Sequence, residues 1–266
     1  MVPDITITSL ETITGFDITS GDYLFTMDEL QNTSIANSEE KVDITGKGGR
    51  KLNSLKRNKA VTISGTNGLV SGGILELQTG SKFENGEVEV LWTDYITKAA
   101  TTETTYTAIG TTGAEIEALY IRNGDGTLGT KLEQASSAAT GKFAYNPSSK
   151  ALSFSSDVAD GKELVVIYKR KIVADKLANM SDHYSKKCML YIDAVGEDKC
   201  TNEYHVQFFI PKADFSGEFT IDLGDNQTVH SFEAEALAGG CGVGGQLWTY
   251  TVFGVDTDDV ATGTNP

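Results

Sequence analysis

Apolar and polar residues change places at nearly every step along eleven short stretches of the chain. These are residues 4–8, 60–64, 87–96, 115–122, 151–155, 163–169, 187–193, 203–210, 218–223, 229–237 and 246–253, each bounded by Gly, Asn, Asp or Ser. A period of two marks a half-buried β-strand, and the Val, Ile, Thr, Tyr and Phe that fill these stretches suit a pleated surface. The pattern predicts a mainly β protein, a sandwich or a barrel with little helix. Turn chemistry agrees. Asn123-Gly124-Asp125-Gly126 and Leu223-Gly224-Asp225-Asn226 tolerate positive φ between strands, and Asn146-Pro147-Ser148-Ser149 suits a type I turn.

Helix is scarce. Over residues 69–78, Leu69, Gly73, Ile74 and Leu77 fall near one face. Gly72 and Gly73 each cost about 1 kcal/mol relative to Ala in a helix interior, so this helix needs a sheet to pack on. A second stripe, Val173, Leu177 and Met180, predicts a helix over residues 173–180. Thr26-Met27-Asp28-Glu29 has the form of a capping box, followed by only a weak apolar run. Residues 97–145, rich in Thr, Ala, Gly and Ser, read as a strand-bearing excursion with flexible tips from a single β domain over 1–255. The acidic stretch 256–266 is expected to fray, or to dock only in an assembly.

Composition narrows the function classes. The 266 residues carry 22 Lys and Arg against 37 Asp and Glu, a net charge of −15. That charge opposes any protein whose task is to grip phosphates or an anionic membrane. A hydrophobic content of 39% is too high for a disordered chain. Cys188, Cys200 and Cys241 form an odd set without a CxxC pair, which predicts free thiols in a reducing compartment. The N-terminal residues lack a basic segment followed by an apolar run, so no signal peptide is read there. No stretch approaches the roughly 18 to 20 apolar residues of a membrane-spanning helix. The expectation is a protein made and kept, or assembled, in a cytoplasm.

Candidate chemistry is thin. His183, His205 and His230 have no second His or Cys at metal-ligand spacing, and Cys188 five residues after His183 reads as coincidence. Asn123 to Thr127 begins like a calcium loop, but Leu128 stands where that loop needs Gly, and strands flank it; it reads as a turn. Gly46-Lys47-Gly48-Gly49-Arg50 and the glycines of 239–245 match no phosphate-binding fingerprint, and no G-x-S-x-G elbow occurs. Neither cofactor, metal nor catalytic residue is expected, and the chain reads as a non-enzyme. Trp92 and Trp248 lie in alternating stretches and read as core rather than as a binding platform.

Two features stand above this background. Residues 46–59 hold six cations, Lys47, Arg50, Lys51, Lys56, Arg57 and Lys59, and no carboxylate. With only Leu52 and Leu55 to bury, the segment reads as a mobile loop, either solvated or reaching another copy. The C-terminal third pairs an apolar face with an acidic one. Phe219, Ile221 and Leu223 alternate with Glu218, Thr220 and Asp222, while His230, Phe232, Ala234 and Ala236 alternate with Ser231, Glu233 and Glu235. Such an acidic face is either plain solvent exposure or the wall of a channel.

These segments carry a resemblance. Val42-Asp-Ile-Thr-Gly-Lys-Gly-Gly-Arg50, Leu55-Lys-Arg-Asn-Lys59 and Thr62-Ile-Ser-Gly-Thr-Asn-Gly68 resemble the N-terminal half of the tail tube (major tail) proteins of long-tailed bacteriophages. Glu203-Tyr-His-Val-Gln-Phe-Phe-Ile-Pro-Lys212, Phe215-Ser-Gly-Glu-Phe-Thr-Ile221 and Phe232-Glu-Ala-Glu-Ala-Leu237 resemble the C-terminal half. The resemblance implies a β-sandwich or half-barrel with one or two short flanking helices. It also implies a virion protein that assembles with itself into stacked hexameric rings, a tube around a tape-measure protein that meets tail-end proteins and later passes DNA without binding it specifically. The segment with Lys47, Arg50, Lys51, Leu52, Leu55, Lys56, Arg57 and Lys59 would then contact a neighbouring subunit or ring. Glu218, Asp222, Glu233 and Glu235 would line an acidic lumen. A capsid decoration protein or a cell-surface β-sandwich binding module would share the composition and stays open at this point.

Overall fold

The computed structural model describes residues 4–223, 228–238 and 244–254. In chain order the strands are β1 (Ile5–Phe16), β2 (Tyr23–Met27), β3 (Leu30–Thr45), β4 (Lys51–Asn67), β5 (Phe83–Thr97), β6 (Thr102–Glu103), β7 (Ile116–Arg122), β8 (Leu128–Gln134), β9 (Lys142–Asn146), β10 (Ala151–Phe154), β11 (Glu163–Leu177), β12 (Lys187–Asp198), β13 (Glu203–Phe215), β14 (Ile221–Leu223), β15 (Thr228–Ala236) and β16 (Thr249–Gly254). A short helix, α1 (Gly72–Thr79), lies between β4 and β5. Strands hold 63% of the described residues, so the protein is mainly β, with a curled half-barrel sheet and a second sheet.

The chain divides into two compact units, Met1–Phe83 with Leu177–Pro266, and Glu84–Lys176. The stretch 97–145 lies wholly inside the second unit, which is wider on both sides because most of β5 and β11 belongs to it. The stretch 256–266, the turn glycine Gly224 with Asp225 and Asn226, and Cys241 lie outside the described residues.

The first unit is built on a nine-stranded sheet in the order β2-β1-β12-β13-β15-β4-β3, with β14 added on β15 and β16 on β13. One edge of β13 is shared: its residues 204–209 pair with β16 and its residues 213–215 with β15. The register between β12 and β13 steps from Cys188↔Ala213 to Leu190↔Ile210, leaving Pro211 and Lys212 opposite Met189. A proline has no N–H for the ladder, and a bulge is where a strand can carry one.

Alternation decides what is buried. Cys188, Leu190 and Ile192 on β12 meet Phe232, Ala234 and Ala236 of β15, Val61 and Ile63 of β4, and Ile74 and Leu77 of α1 in one apolar core. Burial pushes the Cys188 thiol well above its ordinary range, while Cys200 is exposed. The helix predicted over 69–78 is present as α1, and its glycine is explained by close approach. A Cβ on Gly73 would sit 2.6 Å from the Cβ of Phe25 and 2.7 Å from the carbonyl oxygen of Leu24, both fixed to β2. Gly80 closes the helix in the left-handed region, the usual glycine C-terminal stop.

The second unit holds a seven-stranded sheet in the order β5-β11-β7-β8-β9-β10-β6, over a separate core with Leu119, Phe143, Leu164, Val166 and Tyr168. The helix predicted over 173–180 does not form. β11 continues to Leu177, and there Lys171 pairs with Glu87 at 2.6 Å and Asn85 donates to Asp175 at 2.7 Å. Cross-strand partners ninety residues away outweigh a local stripe of three apolar side chains. The Thr26 to Glu29 pattern is likewise no helix start, since β2 runs through Met27 and β3 opens at Leu30. Asn123 to Thr127 is a tight turn, with Asn123 N–H donating to the Thr127 carbonyl and Gly126 N–H to that of Asn123.

Two predictions follow from the packing of α1. In an exposed helix, Gly→Ala adds stability; Gly73→Ala should instead cost about 1–3 kcal/mol, because two backbone-fixed atoms cannot yield. A urea midpoint equal to or above that of the parent protein would contradict the close approach. The second concerns His230, buried between β15 and α1 with its Nε2 2.8 Å from Gln78 Oε1. Gln78 Nε2 donates to the Ser231 carbonyl, so Oε1 is the acceptor and His230 Nε2 the donor. Burial lowers the His230 pKa below its ordinary value. As pH falls through about 6.5, the unfolded chain binds a proton that the folded chain refuses, so stability drops; above that pH this group adds no slope. Thermal midpoints between pH 7.5 and 5.5 should therefore fall, and His230→Gln should flatten part of that fall.

Candidate functional site

The basic segment is not a mobile loop. It is the outer half of a long hairpin made by β3 and β4, closed by a 3-10 turn at Lys47–Gly49. Among the described residues β4 pairs with β15 only through residues 61–67, whereas its residues 51–60 pair with β3 alone. At about 3.3 Å per residue this leaves roughly 30 Å of two-stranded arm. The arm is regular because β3 supplies what residues 46–59 lack. Lys51 pairs with Asp43 at 2.7 Å, Lys56 with Glu39 at 2.6 Å and Arg57 with Glu40 at 2.8 Å. Asn58 adopts positive φ at a register step and donates to the other Glu40 oxygen at 2.6 Å. Donation from Arg57 and then from Asn58 holds the Glu40 carboxyl below the ordinary range, and donation from Lys56 does the same for Glu39.

Three of the predicted cations are thus answered within the arm. Lys47, Arg50 and Lys59 form no ion pair among the described residues. The register puts Val42 opposite Leu55 and Ile44 opposite Asn53, so Val42, Ile44 and Leu55 share one face. That face is open: Ile44 is 41% exposed, Leu55 54%, and Leu52 near the tip 66%. Residues 38–60 carry seven cations and three carboxylates, 7 − 3 = +4, on a chain of −15.

The acidic residues fall largely as alternation requires. Glu233 and Glu235 are exposed between the buried Phe232, Ala234 and Ala236. Asp222 is paired with Val229 and so shares their face, away from the core. Glu218 is exposed ahead of β14, its N–H donated to Ser216 Oγ. The apolar partner set of β14 departs from expectation at Leu223, which is 85% exposed, because β14 is a three-residue strand at the margin of the sheet. Phe219 keeps its place, edge-on to His230 at 5.5 Å.

Two further carboxylates join this face. Asp214 stands opposite Glu235, and with Glu233 they line a recess of about 330 Å³. Lys187 is the cation beside it, 3.5 Å from Asp214. On the neighbouring strands Asp193 accepts from Gln207 at 2.8 Å and from Thr12 at 3.4 Å. Strict alternation through β12, with Leu190, Ile192 and Ala194 inward, was the signal that places Asp193 outward. Asp214 needed the bulge at Pro211. Among the described residues no three His, Cys, Asp or Glu side chains gather closely enough to hold a metal, and no helix is long and apolar enough to cross a membrane.

The resemblance read from residues 42–68 and 203–237 can be set beside a family comparison. A model described as the YomU/Tube protein family matches residues 5–246. The chain belongs to this family. The match runs through both halves that carry the resemblance to phage tail tube proteins, and through the second unit between them. A comparison with curated proteins gives no match. As a tube protein, the chain presents two surfaces of opposite charge in its first unit, a basic arm and an acidic sheet face.

Proposed function

We propose that the protein is a structural subunit of a phage tail, that it assembles with copies of itself into stacked hexameric rings, and that the resulting tube conducts DNA during ejection. The observation that carries this reading is the arm. Residues 38–45 and 51–60 have no third strand among the described residues, and a lone two-stranded ribbon is marginal in water. Its open apolar face, with Ile44, Leu52 and Leu55, and its unanswered Lys47, Arg50 and Lys59 suit a surface that is apolar at the centre and acidic at the rim. A second copy, net −19 outside its own arm (−15 − 4), offers the acid in abundance. The face with Asp222, Glu233, Glu235, Asp193 and Asp214 turns towards the channel in this reading, where it repels phosphate and lets DNA slide. Ring size and the tape-measure and tail-end partners come from the resemblance. The virion, assembled in the host cytoplasm, is the resulting location.

Negative-stain images of the purified protein test the assembly. The parent should give rings or tubes with a central hole. Replacing Leu52 and Leu55 by Ser, or Arg50, Lys51, Lys56 and Arg57 by Ser, should leave the thermal midpoint within a few degrees, since exposed positions usually contribute within about 0.5 kcal/mol. Both variants should fail to assemble. Normal tubes from both would show the arm to be a solvated hairpin. Replacing Glu233 and Glu235 by Lys should allow assembly but hold DNA in the tube, so that ejection slows and grows salt-dependent. Ejection at the parental rate would place those residues away from the channel.

A further inference from the structure

The second unit holds a charge that its own residues leave unanswered. Arg170, on β11, is only 9% exposed, yet its Nε–H and Nη1–H find no acceptor among the described residues. The ion pairs of this unit do not include it. Buried donors without acceptors are few in folded proteins, and a missing partner is one of their causes.

The guanidinium is held by aromatic rings. Its Cζ lies 3.4 Å from the centre of the Tyr106 ring and 5.1 Å from that of Trp92, and the two rings meet edge to face at 5.2 Å. These rings are not sealed in a core. Trp92 is 38% exposed and Tyr106 39%, which corrects the reading of Trp92 as plain core. Asp94 forms no ion pair with Arg170, and its oxygens turn to other donors. They accept from Trp92 Nε1 at 2.8 Å, from Thr105 N–H at 2.7 Å and from the Tyr168 hydroxyl at 2.8 Å. Burial opposes ionisation of Asp94, but these donations together prevail and keep its pKa below the ordinary range. Tyr168 in turn accepts the Tyr106 N–H at 3.0 Å. Asp94 therefore fixes the Trp92 ring directly and the Tyr106 backbone through Thr105 and Tyr168. Nε and Nη1 are covered, so a ligand reaches them only if a covering side chain such as Tyr106 rotates.

We infer that this cluster binds a carboxylate carried on a sugar ring. Half-open aromatic faces fit the C–H face of a pyranose, and a guanidinium fork, Nη2 with either Nε or Nη1, fits a carboxylate with two parallel hydrogen bonds. A neutral sugar leaves the fork unanswered, and a bare anion leaves the rings uncovered. The site lies wholly within residues 84–176 and is independent of the arm and of tube assembly.

The test is a titration of the ¹⁵N-labelled full-length chain carrying Trp248→Phe, which leaves Trp92 as the sole tryptophan. The ligands are sodium glucuronate, glucose, sodium acetate and sodium phosphate. Glucuronate should shift the Arg170 Nε–H and Trp92 Nε1–H resonances saturably and change the Trp92 fluorescence, at a midpoint about tenfold or more below those of the other three. Arg170→Lys keeps the charge but loses the fork, and should raise the glucuronate midpoint about tenfold or more. The resonances are read with Arg170 intact, so the test stands even where the variant does not fold. No shift with any ligand, or equal midpoints for glucuronate and glucose, overturns the inference. Equal midpoints for glucuronate and acetate or phosphate, an adventitious ion only, overturn it as well.

Discussion

Along β15 the pleat leaves no freedom. If His230, Phe232, Ala234 and Ala236 are to meet α1 and the core strands, Ser231, Glu233 and Glu235 must stand on the other side. The same condition holds on β12, where Leu190, Ile192 and Ala194 turn in and Tyr191 and Asp193 turn out, and on β13 once Pro211 has reset the phase. One apolar core thus writes a continuous opposite face across the nine-stranded sheet. Nothing compels that face to be acidic. Thr12, Thr14, Thr62 and Ser64 would serve any solvated sheet, but Asp193, Asp214, Asp222, Glu233 and Glu235 gather there with Lys187 as their near counter-ion. A charge arranged this way adds nothing to the core and repels its own kind, and in the tube proposed above it would act on what passes in front of it.

The hairpin β3 and β4 obeys the same rule for its inner half and escapes it in the outer half. Val61 and Ile63 are buried under the sheet, and the alternation there is strict. Beyond Ala60 there is no core to face, and the polar and apolar residues are sorted by pairing across the hairpin instead. The ion pairs of Lys51, Lys56 and Arg57 are exposed and add little stability. What they do is fix register, and so keep Val42, Ile44 and Leu55 together on one face.

The legibility of the fold in the sequence follows from this division. Strands with a core on one side announce themselves, and the inward and outward sets of β15 are readable letter by letter. α1 is readable too, although Gly73 looks like a liability until β2 is seen against it. The outer hairpin reads as a loop because its glycines and six cations suggest disorder locally. The carboxylates that order it, Glu39, Glu40 and Asp43, lie across a turn and belong to a partner strand with no alternation of its own. Residues 173–180 mislead in the opposite way, since the helical stripe is local and the strand partners Glu87 and Asn85 are remote. The Arg170 cluster is invisible in sequence. Trp92, Asp94, Tyr106, Tyr168 and Arg170 are spread over nearly eighty residues, and the unanswered donors exist only once they are folded together.

The charge distribution also sets how copies of this chain can approach one another. Each copy carries −15, so at long range two copies repel, and the arm's +4 is outweighed. Added salt screens that repulsion beyond about 10 Å at 0.1 M. In the docking proposed above the order reverses at contact, because an arm tip a few ångströms from a carboxylate rim would feel its neighbour more than the remote surplus. Salt therefore helps the approach and weakens the docked contact at the same time. The apolar residues resolve the conflict: Leu52, Leu55 and Ile44 gain from burial at any ionic strength, at roughly 25 cal/mol per Å². Cations can choose the partner and the register, as charged rims do. In the assembly proposed above, holding the partner would fall to the apolar side chains between them.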